Sequence, residues 1–69
     1  MNKIPRPKNR FLISHEGNFF TSDFKKTNRP YDAKRFMIEK VAERFKLLIN
    51  ESTSIEVDEM KIIPYTFYL

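Results

Sequence analysis

A single glycine, Gly17, stands in a chain of 69 residues. Positive φ costs glycine little and other residues more, so this is the one place where the backbone reverses tightly without strain. Apolar runs flank it, residues 11–15 (FLISH) before Glu16-Gly17 and residues 18–22 (NFFTS) after. The pattern predicts a two-residue β-hairpin that pairs His15 with Asn18 and Ile13 with Phe20. Side chains alternate across a strand, so Phe11, Ile13 and Phe20 share one face, and Leu12 and Phe19 share the other.

The strongest periodic signal lies in residues 33–50. Ile38, Val41, Ala42, Phe45, Leu48 and Ile49 recur at helical spacing, opposite Glu39, Lys40, Glu43, Arg44 and Lys46, as in an amphipathic helix with one apolar face. Two starts are open. Asp32 as N-cap begins the helix at Ala33, or residues 33–36 are a short extended piece and the helix begins near Met37. Lys34 and Arg35 in a first turn would oppose the helix dipole, which favours the later start. Asn50 is the expected stop.

Residues 55–63 read as a strand. Ile55 and Val57 alternate with Glu56 and Asp58, and then Met60 and Ile62 fall on the other parity. A bulge near Asp58-Glu59 would reconcile the halves. Pro64 has no amide donor and must face an edge or a break. Residues 65–69 (YTFYL) are strand-like, and an apolar end at Leu69 implies a docked tail. Between hairpin and helix, residues 23–30 (DFKKTNRP) form a polar connection closed by Pro30. Residues 1–10 carry Pro5 and Pro7 together with Lys3, Arg6, Lys8 and Arg10 and no acid; they are expected to be a flexible basic arm. Residues 11–69 make the single domain. The expected fold is α+β, a ββαβ layer with an antiparallel sheet of three or four strands and one amphipathic helix across one face.

Composition narrows the function. With 13 basic and nine acidic side chains, four of the basic ones in residues 1–10, the remainder carries nine of each and is formally neutral. No cysteine and one histidine leave no disulfide and no structural zinc site; the lack of cysteine fits a reducing cytoplasm. No apolar run reaches membrane-spanning length and no secretory h-region is present, so a soluble protein without membrane attachment is expected. Small domains without staples often oligomerise, which makes a homodimer an expectation from size alone.

Catalytic machinery is not legible. Ser14, His15 and Glu16 are consecutive, so their side chains alternate across the strand and do not converge as a triad; His15 reads as an exposed hairpin-tip residue. Glu56 and Asp58 share a strand face and read as a solvated acidic stretch rather than a cation site. One glycine rules out a glycine-rich phosphate loop. The chain is expected to be no enzyme and to need no cofactor or metal.

Recognition is the better reading. One helix covers one sheet face, so the aromatic pairs Phe19-Phe20 and Phe67-Tyr68 should each leave a ring on the bare face, unless the arm or tail folds over it and hides these groups within the monomer. Leu12, Phe19, Tyr65, Phe67 and Tyr68 are therefore the expected partner-binding patch. The alternative is nucleic-acid binding through Lys3, Arg6, Lys8, Arg10, Lys25, Lys26 and Arg29, with Lys34 and Arg35 beside the loop and Phe19 as a stacking platform.

The strings Phe11-Leu12-Ile13, Gly17, Tyr31-Asp32-Ala33-Lys34-Arg35-Phe36 and Glu39-Lys40-Val41-Ala42-Glu43-Arg44-Phe45 resemble, over residues 11–60, a group of small phage and prophage accessory proteins. Those proteins open with a hairpin, run an amphipathic helix and close with a strand. The resemblance implies an interaction protein that binds, and in some members inhibits, a host or defence protein; it assigns no functional residue.

Overall fold

The structure, a computed structural model, describes residues 6–68. Four strands form one antiparallel sheet: β1 (Pro7–His15), β2 (Asn18–Phe20), β3 (Lys26–Thr27) and β4 (Lys61–Tyr68), in the order β3-β2-β1-β4. One helix, α1 (Glu39–Thr53), lies on one face. The expected α+β architecture is present.

The hairpin forms about Gly17, with His15 opposite Asn18 and Ser14 opposite Phe19. Both turn residues are left-handed, Glu16 at φ 51° and Gly17 at φ 81°, which matches the right-handed twist of the flanking strands. The face assignment holds. Ile13 and Phe20 join the core under the helix with Phe36, Ala42, Ile49 and Met60, while Leu12 packs on the other side with Ala33 and Phe67.

β1 is longer than expected. Pro7, Lys8, Asn9 and Arg10, placed in the flexible arm by their prolines and charge, pair with Tyr68, Phe67, Thr66 and Tyr65 of β4. Pro7 is tolerated because it is the first residue of the strand, where a missing donor matters least. Residues 1–5, including Lys3 and Pro5, lie outside the described residues, as does Leu69 with the expectation of a docked end. Pro64 sits on the edge strand opposite Phe11. Phe11 uses both backbone groups on Phe36: its N–H donates to Phe36 O at 2.7 Å and its carbonyl accepts from Phe36 N–H at 2.9 Å. That pairing turns Pro64 nitrogen toward the outer edge, where no donor is needed.

After Phe20 the chain leaves β1 on an excursion and returns at Phe36. A turn closes on Thr21, whose N–H donates to Lys25 O at 2.8 Å. Phe24 takes a left-handed φ of 62° there and stacks on Phe45 at 5.2 Å. The connection then contributes β3 and a 3-10 turn, Pro30–Asp32, begun by proline where its absent donor costs nothing. Residues 33–36 run extended back along β1, held by Lys34 N–H to Phe20 O (3.0 Å) and the Phe36–Phe11 bridge. Alternation sends Ala33 and Arg35 to the outer face and Lys34 and Phe36 to the helix side.

Of the two helix starts, the later one is nearer. Ile38 is the N-cap and Glu39 opens the first turn, where its charge suits the dipole. The helix passes Asn50 and stops at Thr53, with Ser54 left-handed at φ 64° and its N–H donating to Asn50 O at 2.8 Å. This run uses up residues assigned to the next connection. Ile55 and Val57 then tuck under the core with Asn50 Nδ2 donating to Ile55 O at 2.8 Å, and Val57–Glu59 coil as a 3-10 turn. The expected strand over residues 55–63 is corrected accordingly: it begins at Lys61, and the parity shift read as a bulge is this turn.

Candidate functional site

The bare sheet face expected to receive a partner is covered. Residues 30–35 form a strap along its edge that lays Tyr31, Ala33 and Arg35 over it. Leu12 and Phe67 are both 0% exposed beneath Ala33, and Phe19 and Tyr65 are half-buried against the same cluster. Tyr31 meets Phe67 edge-on at 5.0 Å. Arg35 lays its guanidinium 4.3 Å above the Phe67 ring and donates from Nη2 to Tyr31 O at 3.1 Å. Among the five residues of the expected patch, only Tyr68 is exposed, and its pairing with Pro7 puts it on the opposite face. Leu12 and Phe67 are thus core residues of the monomer. The short strap suffices because Tyr31 projects from its turn and Ala33 and Arg35 alternate onto this face from its extended half.

The apolar surface lies instead on α1. The expected stripe is right in type and rotated in phase. Ala42, Lys46 and Ile49 are buried and Phe45 is half-buried, whereas Ile38 (60%), Val41 (48%) and Leu48 (48%) stand exposed beside Met37 (72%). Ala42 points at the sheet because its small side chain lets the helix approach closely, and Phe45 fills the gap against Phe36 and Phe24 at 5.2 Å each. Val41 and Leu48 are two turns apart on one flank of the helix, with Ile38 one turn before Val41. Leu47 is also exposed and lies about 100° further round.

Lys46, read as a polar-face residue, is buried. Its Nζ lies 3.7 Å from Glu43 one turn earlier on the helix.

At the far end of β1, His15 is 7% exposed and not the solvated tip residue its position suggests. Lys26 Nζ approaches His15 Nδ1 at 2.6 Å. An ammonium only donates, so Nδ1 carries the lone pair and the ring N–H sits on Nε2. Nε2 faces Glu59 at 3.5 Å and Glu16 at 3.7 Å. Both carboxylates are mostly exposed, so these contacts contribute little energy. The arrangement orients the ring and places no hydroxyl or thiol against it. Among the described residues no group of three or more acidic or histidine side chains is set to hold a metal, and Glu56 and Asp58 are both exposed.

The cations separate into groups. Arg6, Lys8 and Arg10 lie at the N-terminal end of β1, Lys26 lies at its C-terminal end with His15, and Lys25 and Arg29 are exposed on the connection. Arg35 joins Lys8 and Arg10 near Phe67, whereas Lys34 lies over Phe36 and Phe45 at 5.3 and 5.7 Å. No helix among the described residues is long and apolar enough to cross a membrane. Compared with protein-family models, with characterised proteins and with solved structures, the chain matches none.

Proposed function

We propose that the chain is a non-enzymatic protein-interaction module that docks a partner protein along the flank of α1. One observation carries this reading: four large aliphatic side chains, Met37, Ile38, Val41 and Leu48, are 48–72% exposed on one stretch of a folded 69-residue chain. An isolated exposed Leu is ordinary, but four such side chains within residues 37–48, two leading into α1 and two on it, mark a surface used in contact. Anchors at turn spacing on a rigid helix are the arrangement that fits an apolar groove on another protein. The single histidine, held between Lys26 and two carboxylates, supports a structural reading over a catalytic one. The resemblance to small phage accessory proteins favours a host protein as the partner.

The test is a comparison of the wild-type chain with the Val41→Ser/Leu48→Ser variant as immobilised baits in host lysate. A protein retained by the first and lost from the second, with the two baits melting within a few degrees of each other, supports the reading. Identical retention by both sinks it. Sedimentation of the free chain separates the remaining occupant: a dimer that dissociates in the variant identifies a second copy.

A further inference from the structure

We infer that the free half of the β1–β4 ribbon binds the phosphodiester backbone of nucleic acid, through Lys8, Arg10 and Arg35. The site is independent of the α1 flank and uses none of its residues.

The cations are gathered by three separate features of the fold. Strand alternation puts Lys8 and Arg10 on the outer face with Leu12, about 7 Å apart along β1. Their cross-strand partners are Phe67 and Tyr65. The strap then delivers Arg35 from a distant part of the sequence onto Phe67, at 4.3 Å, and against Tyr31, at 5.6 Å. A guanidinium held by its face keeps the rest of its planar donor fork available to an anion.

Nothing among the described residues neutralises them. The ion pairs there join His15 and Lys26 to Glu16 and Glu59, and Lys46 to Glu43. Neither Pro7–His15 nor Lys61–Tyr68 contains an acid. Four carboxylates, Glu51, Glu56, Asp58 and Glu59, gather at the helix C-terminus and the 3-10 turn, and Glu59 places that turn against His15, at the other end of β1. These four acids thus lie away from Lys8 and Arg10, whose own strand and its partner β4 carry none, and the ribbon keeps a local positive field that attracts a polyanion. Asp32, exposed on the turn before Arg35, and Glu39, exposed at the start of α1, are the acids nearest to it in sequence.

Access is open. On the β2 side, pairing along β1 stops at the Phe11–Phe36 bridge, so residues 7–10 have β4 alone beside them among the described residues. A two-stranded ribbon is narrow enough for the major groove of a duplex. The half-buried Tyr65 and the exposed Tyr31 equally suit unstacked bases beside a cationic track. The shared chemistry is the phosphate backbone, and the experiment distinguishes its two forms.

Fluorescence anisotropy of labelled single-stranded and duplex DNA, titrated with the full chain at 50 and 200 mM salt, tests the inference. Three phosphate contacts predict a slope of log affinity against log salt of about −2 for single strands or −2.7 for duplex. Lys8→Gln and Arg10→Gln should each reduce that slope by about one, and the double variant should bind at least tenfold more weakly at the lower salt. Tighter binding of one form names the form. Absence of binding to both at 50 mM salt overturns the inference, as does unchanged affinity and slope in the double variant. Lys8 is exposed, so Lys8→Gln carries the test by itself if the Arg10 change disturbs the ribbon. Loss of DNA binding leaves the α1 reading untouched, because the lysate comparison uses different side chains.

Discussion

On one face of the sheet, Ile13 and Phe20 lie under a helix of 15 residues. On the other, Leu12 and Phe67 lie under side chains of the six-residue strap, 30–35, half 3-10 turn and half extended. Both faces end equally dry. Their covers differ in what they leave outside. A helix buries one side and turns the rest of its circumference to water, so α1 keeps Ile38, Val41 and Leu48 exposed while burying Ala42 and Ile49. The extended half of the strap runs in line with the sheet and divides its residues between the two faces, so Ala33 and Arg35 cover the outer face while Lys34 and Phe36 go to the helix side. The surplus apolar surface therefore sits on the helix side, and the outer face presents charge at its rim.

The comparison is sharpened most by removing the ring at the centre of the strapped face. Phe67→Ala should cost about 3–5 kcal/mol, comparable to Phe20→Ala under the helix. A domain of this length has a total stability on the order of 3–10 kcal/mol, so either variant should be largely unfolded at moderate temperature. Thermal and urea melts of the pair decide it. A loss below about 1 kcal/mol at Phe67 alone, against a full loss at Phe20, would mean the strap lifts away and the two faces are not equivalent cores.

An intermediate effect is expected at Arg35. Arg35→Ala removes the stacked guanidinium and its hydrogen bond to Tyr31 while leaving Ala33 and the Phe36 bridge in place, and should cost about 0.5–1 kcal/mol. Hydrogen exchange should report it locally, with faster exchange at the Phe11 and Phe36 amides and little change in α1. Uniform acceleration through α1 would show that the strap and helix open as one unit.

The smallest effect belongs to the exposed flank. Val41→Ser/Leu48→Ser should change stability by about 0.5 kcal/mol or less per site, despite replacing large apolar residues. A loss on the scale of Phe67→Ala would place these residues in a core and contradict the exposure that distinguishes the two covers.

These differences track the distance over which each feature is specified. The hairpin is legible because Gly17 and the alternation around it act within a few residues, and Leu12 and Ile13 fall on opposite faces in any register that keeps the turn. The existence of α1 is legible from its period. Its phase is not: Val41 and Ala42 are adjacent and both apolar, and only the surface beneath the helix chooses the smaller one for the seam. Nor does any local signal mark Ala33 to Arg35 as a lid, since its value depends on Leu12 and Phe67, which belong to two distant strands. For the same reason the basic residues Lys8 and Arg10 read as tail rather than strand; their partners Phe67 and Tyr65 belong to the far end of the chain, where Thr66 Oγ1 donates to Asn9 Oδ1 at 3.0 Å across 57 residues.

The amino-acid sequence by itself determined the elements with short-range causes: the turn at Gly17, the two faces of the hairpin, an amphipathic helix after a polar connection, and a chain without cysteine chemistry. The tertiary structure decided which of those faces meets water. Burial is a competition among all the apolar surfaces of one chain for a limited interior. Its outcome, Phe67 inside and Leu48 outside, depends on which segments can reach which face, a property of chain length and topology that no local pattern contains.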